Sequence, residues 1–561
     1  MTAEAPLYNS LSAEARTLLD QAMAHLAEGC DPASHLVTER LEGTPYRSVR
    51  STMYYALGLL ICKGREAAGE AEALAGAVLD LQLNDPAEIW HGTFRHPDDP
   101  PPARGLAPWH RVTPEARYLA DLSWEAITAR YAGLLEADPA LAPRAAEIEG
   151  LLRQALVDTL PVVWDTYEPN LREFIGMTLA MMLEHFASLL SPAFVRRCEE
   201  AGRLLTEGAI SRVKAGLTPL NTNIRIMYVF VLDWFGRRLK TETWQEEALR
   251  MAESLLKDYS EYHAVAEYNS PTYCGVDLAT LGFWRRYCPS PRLHVIADEL
   301  EAGIWRDMAA FYNPALRNFS GPYSRCYEMD MAVHTCFCDL LYLGLGEARF
   351  PWHPLNIESV INPLNVLGDI RIPEDVIPLL TEEQGERMVR RTFRELSERG
   401  DPADNQALCE ATAWITPRLM LGALSGSRNP SYQLHPLTVL WRAKEGLGAI
   451  RLLRCLPDGS MAHLHTVLFD GEAGPNTLRM RVANQCRRPV LAYYEITCPG
   501  LDAARLTPAR WNLPGLTVQL RTDAPVPEIR AVSGDTVRVC YPLRPSESLS
   551  FEADVSLNDE A

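Results

Sequence analysis

Apolar residues recur at spacings of three and four through the first 345 residues, which predicts a long series of amphipathic α-helices. Two stretches, FIGMTLAMML and IMYVFVLDWF, are apolar on nearly every side, as is typical of helices buried in an interior. Because such stretches alternate with amphipathic ones, we predict two concentric layers, a closed toroid of helical hairpins of the (α/α)6 type. No short repeat of the tetratricopeptide kind is present, so an open solenoid is not favoured.

After about Phe350 the period of the pattern falls toward two. Segments such as TLRMRVAN, VLAYYEI and TVRVCYPL alternate apolar and polar residues, and turn signals such as PDGS and SGDT separate them. This predicts an antiparallel β-sandwich. We therefore expect an α+β multidomain chain with a helical toroid over residues 1–345 and a β-sandwich over residues 346–561. The segment TEEQGERMVRRTFRELSERG fits either a helix or an amphipathic pair of strands.

The composition is that of a globular protein, because 47% of the residues are hydrophobic and 23% are charged. It excludes wholesale disorder, a collagen-like chain and a small disulfide-rich scaffold. The formal net charge of −19 and the lack of a basic tract argue against a nucleic-acid partner. An anionic substrate would need a local positive pocket against this field.

The N-terminus lacks a basic region followed by an apolar core, and no run of about 18 uncharged apolar residues occurs. The 13 cysteines form no CxxC pair and no zinc-type spacing, which favours reduced thiols. We expect a cytoplasmic protein with no membrane partner, no cofactor and no metal, and Glu184 and His185 are interpreted as structural residues in mid-helix. Assembly with further copies of the chain is compatible with the sequence.

Four segments at predicted helix ends are dense in polar and aromatic residues. The first, from Ala87 to His110, is a long loop that includes Trp90, His91 and Arg95. A loop of this length is usually functional, although a surface flap fits equally well. In the second segment, Asn221 and Asn223 start a helix that continues with Arg225 and Tyr228, which is more than an N-cap requires.

The third and fourth segments concentrate polar groups around turns. Around Pro271, capping by Ser270 or Asp277 explains part of the pattern, but it does not explain the other polar residues. Arginine and tyrosine following the Gly321–Pro322 turn are typical of a site that holds an anion. A fifth segment, around Gln433 and His435, fits a domain interface or a wall of the same cleft. The candidates in the third and fourth segments are His263, Glu267, Tyr268, Asn269, Tyr273, Tyr323, Arg325, Tyr327, Glu328 and Asp330.

The motifs LNTNIR, HAVAEYNSPTY, SGPYSRCYEMD and QLHP, on a toroid followed by a sandwich, resemble the heparinase II/III-like and chondroitin-AC-type polysaccharide lyases. The resemblance implies β-elimination at a uronic acid, in which hydrogen-bond donors mask the carboxylate and one group moves the proton. The adjacent Asn-His pair of that family and a basic groove are missing here, which favours a short or terminal uronate. Carried over, the roles are carboxylate neutralisation by Asn221 or Asn223, proton transfer by Tyr268, Tyr273 or Tyr323, activation by Arg325 and assistance by His263.

Two further functions fit the same residues. A glycoside hydrolase needs two carboxyl groups, for which Glu267 with Asp330 or Glu328 is the preferred pair and Asp277 and Glu410 are also available. A non-catalytic sugar-binding protein is the third alternative, whereas a terpenoid cyclase is disfavoured because no DDxxD motif occurs. We expect the site to lie at one mouth of the toroid. The residues expected to contact the oligosaccharide or polysaccharide are Asn269, Tyr273, Trp90, His91, Arg95, Tyr327, Glu328, Asp330 and His435.

Overall fold

The chain has a helical half followed by a β half. A computed structural model describes residues 6–41, 44–102, 104, 136–145, 147–148, 151, 168–215, 221–331, 337–352, 362–396, 407–429, 431–459, 467–485 and 489–558. In these residues the helices are α1 Ala13–Gly29, α2 Val49–Lys63, α3 Ala68–Leu79, α4 Leu171–Phe186, α5 Pro192–Lys214, α6 Thr222–Arg238, α7 Glu242–Tyr262, α8 Tyr273–Tyr287, α9 Pro291–Phe311, α10 Cys338–Leu345 and α11 Ile377–Thr381.

The helices form two layers. Helices α2, α4, α6, α8 and α10 contact one another in that order, and α10 closes the ring through α1, which lies against α2. The inner helices are buried nearly all round; in α6, every residue from Thr222 to Gly236 is buried. The outer helix α7 buries only Ala248, Met251, Ala252 and Leu255, one apolar stripe at helical spacing. This confirms the toroid of interior and amphipathic helices.

Short strands interrupt the helical half, where the pattern predicts helices only. Strands β1 Cys30–Asp31, β2 Leu36–Leu41 and β3 Thr44–Ser48 form a small antiparallel sheet, and β4 Tyr312–Asn313 pairs with β5 Asn318–Phe319. The sheet of β1 to β3 packs on α1 and α2. Segments this short carry too little periodicity to be distinguished from helix connections.

The β half is a sandwich of two antiparallel sheets. The strands are β6 Arg387–Arg394, β7 Leu408–Ile415, β8 Leu419–Ser425, β9 Leu437–Arg442, β10 Leu447–Cys455, β11 Val467–Gly474, β12 Thr477–Asn484, β13 Val490–Thr497, β14 Leu506–Thr507, β15 Arg510–Leu513, β16 Leu516–Thr522, β17 Glu528–Ala531, β18 Thr536–Leu543 and β19 Ser548–Leu557. One sheet has the order β17-β18-β13-β10-β9-β8-β7-β6, and the other has the order β11-β12-β19-β16-β15-β14. Their facing apolar side chains, including Val439, Tyr494, Val518 and Phe551, share one core. The predicted antiparallel sandwich is confirmed.

The described residues between the two halves pack against the helices. Helix α10 ends at Leu345, and the first strand of the sandwich begins at Arg387. The short 3-10 turn Pro363–Leu367 contacts α1, α2 and α10, and α11 contacts α9. The segment TEEQGERMVRRTFRELSERG, which fitted either structure, supplies strand β6. The boundary at residue 345 stays a prediction.

Close backbone contacts join the two halves. Tyr323 and His435 exchange both of their backbone hydrogen bonds, at 3.1 and 2.9 Å, and the Cys326 N–H donates to the Gln433 carbonyl at 3.0 Å. Gly422 of β8 packs directly against the backbone of Gly321, so closely that a Cβ at position 422 would lie 2.1 Å from the Gly321 carbonyl oxygen. The loop of residues 320–331 is therefore fixed to the sandwich.

Some sequence predictions fall outside the described residues. They are most of the helices predicted over residues 115–137 and 146–160 and the end of the long loop, with His110. Within the described part of the chain, no helix combines the length and the apolar character that a membrane crossing needs. The eleven cysteines in that part are all free thiols.

Candidate functional site

The candidate site lies where α6 and α8 begin. The Ala266 N–H donates to the Thr222 hydroxyl at 3.0 Å, and the Thr222 N–H donates to Glu267 Oε2 at 3.1 Å. The two inner helices therefore start at the same end of the toroid. Glu267 thus meets the positive N-terminal end of α6, while Asn221, the residue at the N-cap, makes no side-chain cap bond.

Three groups of the described residues hold Arg325 at this mouth. Its Nε donates to Gln433 Oε1 at 2.7 Å, and its Nη1 lies 3.5 Å from Glu267 Oε1. Its guanidinium carbon lies 4.4 Å from the centre of the Tyr273 ring, a cation–π contact. The side chain is still 20% exposed. It is therefore a fixed cation that an anionic ligand can reach.

Tyr273 opens α8 and lies directly under Arg325. Its hydroxyl donates to Gln433 Oε1 at 3.4 Å, and its ring centre is 6.0 Å from that of Tyr327, which is 47% exposed. Burial raises the pKa of Tyr273 well above its ordinary value, and the Arg325 charge acts to lower it. An exposed aromatic ring thus lies beside a buried phenol and a cation.

A pair of buried carboxyl groups lies behind Arg325. Glu267 and Asp277 are both fully buried, and Asp277 follows Tyr273 by one turn of α8. Burial, followed by the Glu267 charge, raises the pKa of Asp277 well above its ordinary value.

The other two candidate tyrosines lie in the core. Tyr323 is fully buried, and its hydroxyl donates to the Phe319 carbonyl at 2.5 Å. Tyr268 stacks on Phe393 with ring centres 3.9 Å apart. Burial raises the pKa of both phenols well above the ordinary value. Of the three tyrosines, Tyr273 is the one that the structure places against Arg325.

The asparagines have different surroundings. The Asn269 side chain donates to the carbonyls of Ser320 and Pro322 at 2.8 and 2.9 Å and so braces the loop that carries Arg325. Its φ of 53° is a left-handed conformation that asparagine tolerates. Asn221 and Asn223 are buried at the start of α6, and Asn223 Oδ1 receives no hydrogen bond from the described residues.

Three further candidates have surroundings of their own: a separate cleft, the buried junction of the two halves, and an ion pair between helices. His263 is exposed at the end of α7 and lines a separate cleft of about 270 Å³ with Phe393 and Arg394. His435 is buried in the junction between the halves, and burial, followed by the Arg451 charge, lowers its pKa well below the ordinary value. Arg225 of α6 forms a 2.7 Å ion pair with Asp258 of α7.

The carboxyl groups preferred for hydrolysis have other partners. Glu328 lies 3.4 Å from Arg451 Nη2 of β10. Asp330 accepts a hydrogen bond from Asn318 Nδ2 at 3.3 Å. Glu410, on β7, forms an ion pair with Arg390. Each of these three carboxyl groups thus has a partner among the described residues, and their pairing with Glu267 stays a prediction.

The described part of the long loop packs against α4 and α5. Trp90 and His91 are buried, and His91 Nε2 lies 3.9 Å from Glu207. Burial, followed by the Arg172 charge, lowers the pKa of His91. Arg95 donates to the carbonyl oxygens of Pro97 and Asp99 within its own loop.

The sequence leaves the role of one residue at this end of the toroid open and does not single out another. Gln433 fits either a domain interface or a wall of the cleft, and its contact with Arg325 joins positions 108 residues apart, for which local pattern gives no signal. Glu173, in the first turn of α4, is fully buried, and burial raises its pKa to about 7 despite Arg212 and Arg172 nearby. A charged pair at the start of an apolar stretch, LREFIGMTL, was the available signal for Glu173.

The described residues contain no group of three or more His, Cys, Asp and Glu side chains that could hold a metal ion. At this mouth they place the accessible Arg325 guanidinium beside a phenol, a carboxamide and a carboxylate. Such a set can bind an anion and exchange a proton with it.

One family model matches residues 16–125 and 156–355, which is more than half of the chain. Its description is "Domain of unknown function (DUF8769)". The chain belongs to this family. The match ends near the close of the helical half, so the DUF8769 region carries Tyr273 and Arg325 but not Gln433. No curated protein matches the chain.

Three solved structures show distant similarity. A heparinase III has a TM-score of 0.34 and 8% identity, over 100% of this chain and 86% of its own. The chondroitin AC lyase of Streptomyces coelicolor A3, in complex with chondroitin sulphate, has a TM-score of 0.38 and 11% identity, over 98% of this chain and 83% of its own. A chondroitinase AC lyase in oligosaccharide complexes has a TM-score of 0.33 and 9% identity, over 90% of this chain and 82% of its own. These proteins are of the class that the sequence motifs resemble.

Proposed function

We propose that this chain is a carbohydrate-active enzyme that cleaves a uronic-acid-containing oligosaccharide by β-elimination. Tyr273 is the proton-transferring group and Arg325 is the cation that masks the uronate carboxylate. The observation that carries the proposal is the position of the Arg325 guanidinium, which covers the Tyr273 ring and is still partly exposed. An anion that binds Arg325 is thereby brought to the edge of a phenol.

The chemistry needs few parts. The C5–H bond of the uronate breaks, its proton passes to the Tyr273 oxygen, and its electron pair forms the C4–C5 double bond. The C4–O bond breaks at the same time, and its electron pair leaves with the oxygen, which receives a proton from Tyr273. No water is consumed. The carboxylate makes C5 acidic only when its charge is masked, which is the work of Arg325.

The charges around Tyr273 support this assignment. Burial favours the neutral phenol and outweighs the Arg325 charge, which favours the phenolate, so Tyr273 rests as a neutral phenol that can donate the proton needed by the leaving oxygen. Gln433 Oε1 accepts from both Arg325 and Tyr273 and fixes their relative position. Tyr327 offers an exposed ring on which a sugar can stack.

The substrate class follows from the local charge. The formal net charge of the chain is −19, and Glu267 offsets part of the Arg325 charge. Arg451, the guanidinium beside Tyr327, is paired with Glu328 and Glu495, so Arg325 suits a single uronate better than a run of sulphated or uronate units. We therefore propose a short oligosaccharide or a terminal uronate as substrate.

The test compares two tyrosine-to-phenylalanine variants. Tyr273→Phe removes the proposed proton carrier and should lower turnover at least about 100-fold, the lower end for such a group. Tyr323→Phe removes an equally buried hydroxyl that donates to a backbone carbonyl, so turnover per folded molecule should be retained. Formation of the ultraviolet-absorbing product is measured on uronate oligosaccharides.

Other outcomes of that comparison would overturn the proposal. Equal losses in both variants would mean that the effect is on packing. Loss in Tyr323→Phe alone would move the chemistry to that phenol. Products that gain the mass of one water would indicate hydrolysis, the alternative for which the sequence offers carboxyl groups.

A further inference from the structure

The carboxyl group of Asp277 has an unusual environment. Asp277 is fully buried on inner helix α8, and neither of its oxygens accepts a hydrogen bond from the described residues. A buried carboxylate without donors is costly, whereas a carboxylic acid supplies its own donor. Asp277 lies one helical turn beyond Tyr273, on the same side of α8, which places it behind the proposed site.

The neighbouring Glu267 has the surroundings of an ionised group. Its Oε2 accepts the Thr222 N–H at the positive end of α6, and its Oε1 lies 3.5 Å from Arg325 Nη1. Both contacts favour the carboxylate over the acid. Of the two carboxyl groups, Glu267 is therefore the one that keeps its charge.

Among the described residues, the charges of these groups balance when one of the two carboxyl groups holds a proton. Glu267 and Asp277 together carry two negative charges when ionised, and Arg325 supplies one positive charge. A second buried negative charge without a partner would be strongly disfavoured. One proton on Asp277 leaves one carboxylate for one guanidinium.

We propose that Asp277 is a positioning residue that holds the proton of a one-proton carboxyl pair with Glu267, so that the pair presents a single negative charge to Arg325. The charge state of the pair does not depend on the reaction. The consequence for turnover rests on the proposed function, because Arg325 and Tyr273 act there.

In the part of the chain that the structure describes, few ionisable groups lie around Asp277. Glu267 lies in the loop before α8, and Arg325 lies on its far side. The Cys274 thiol is on α8 itself. The charge of Asp307 on α9 acts on Cys274 as well. Burial is the main cause that raises the pKa of Cys274, and the Asp277 charge is the second. The pKa of Asp277 is raised well above its ordinary value by burial and by Glu267.

A raised carboxyl pKa means that the folded state binds a proton that the unfolded state releases, so stability falls as the pH rises above the ordinary value of about 4.

The stability experiment needs no substrate. Asp277→Asn replaces a carboxylic acid by a neutral group of the same shape that also donates. Thermal unfolding of the full chain is measured between pH 5 and pH 8 for the wild type and this variant. We expect Asp277→Asn to unfold at or above the wild-type temperature at pH 8, with a difference that shrinks toward pH 5.

Asp233→Asn is the matched control. Asp233 is also buried on an inner helix, but it forms a 3.0 Å ion pair with Arg237. Loss of that carboxylate should lower the unfolding temperature at pH 8. If Asp277→Asn lowers it as much as Asp233→Asn does, Asp277 is ionised and the proposal is overturned.

Turnover supplies the second readout. Asp277→Ala removes the donor and leaves a gap, whereas Asp277→Asn keeps the donor. We expect turnover on a uronate oligosaccharide to be at least about tenfold higher in Asp277→Asn than in Asp277→Ala, a difference of about 1.4 kcal/mol or more in barrier. Equal turnover in the two variants would contradict the positioning role. If the wild type forms no unsaturated product, the proposed function fails, and the unfolding data still decide the charge state of the pair.

Discussion

Arg325 acts at the residue scale as the centre of the candidate site, because its guanidinium meets a ring, a carboxamide oxygen and a carboxylate at once. A planar guanidinium can stack and donate in several directions, which an ammonium group cannot do. The resemblance to lyases brought Arg325 and Tyr273 into the same list of candidates, but it left three tyrosines equivalent. The choice among them depends on the contact with Arg325 and on Gln433, which is 160 residues from Tyr273 along the chain.

Substitution of Arg325 tests this geometry. Arg325→Lys keeps the charge but loses the ring stacking and the fork of donors, so KM for a uronate oligosaccharide should rise at least about tenfold, and Arg325→Met should be worse. Arg394→Met is the control, because Arg394 is exposed at the His263 cleft. If Arg394→Met raises KM as much as Arg325→Lys does, the carboxylate binds elsewhere.

At the element scale, the periodicity of the pattern decides what could be predicted. Helices α4 and α6 were predicted as interior helices because they are apolar on nearly every side, and both are buried in the structure. Strand β6 was ambiguous because RMVRRTFR places four arginines on an edge strand, where both faces tolerate charge. The strands between Cys30 and Ser48 are too short to show an alternation of their own.

The contact between strand β8 and the loop of residues 320–331 positions Arg325. Gly422→Ala would place a methyl group 2.1 Å from the Gly321 carbonyl oxygen, so the loop must move away from the sheet. We expect a loss of about 1–3 kcal/mol in the free energy of unfolding and reduced turnover at a temperature where the variant is folded. Denaturant unfolding and product formation measure the two effects.

Gly534→Ala is the control for that substitution. A Cβ at position 534 meets nothing within 4 Å, so its effect on the free energy of unfolding should stay within about 0.5 kcal/mol. A Gly422→Ala variant as stable and as active as Gly534→Ala would show that the loop does not depend on this contact.

At the scale of the whole molecule, the order of a helical toroid and an antiparallel sandwich was predictable, because the period changes once, near Phe350. The composition of the site was not predictable to the same degree, because it is assembled from α8, the loop of residues 320–331 and the segment around Gln433. The segment around Gln433 reaches the other two pieces across the junction of the two halves. The cytoplasmic location, the lack of a cofactor and the assembly state stay predictions.

The central claim is that the wild-type chain breaks a uronate linkage by elimination, and product mass together with ultraviolet absorbance tests it most directly. The purified full chain is incubated with a panel of short uronate-containing oligosaccharides, and each product is weighed by mass spectrometry. Elimination predicts that the product masses sum to the substrate mass and that absorbance of the C4–C5 double bond, conjugated to the carboxylate, grows with turnover. Products whose masses sum to the substrate plus one water, without new absorbance, would contradict it.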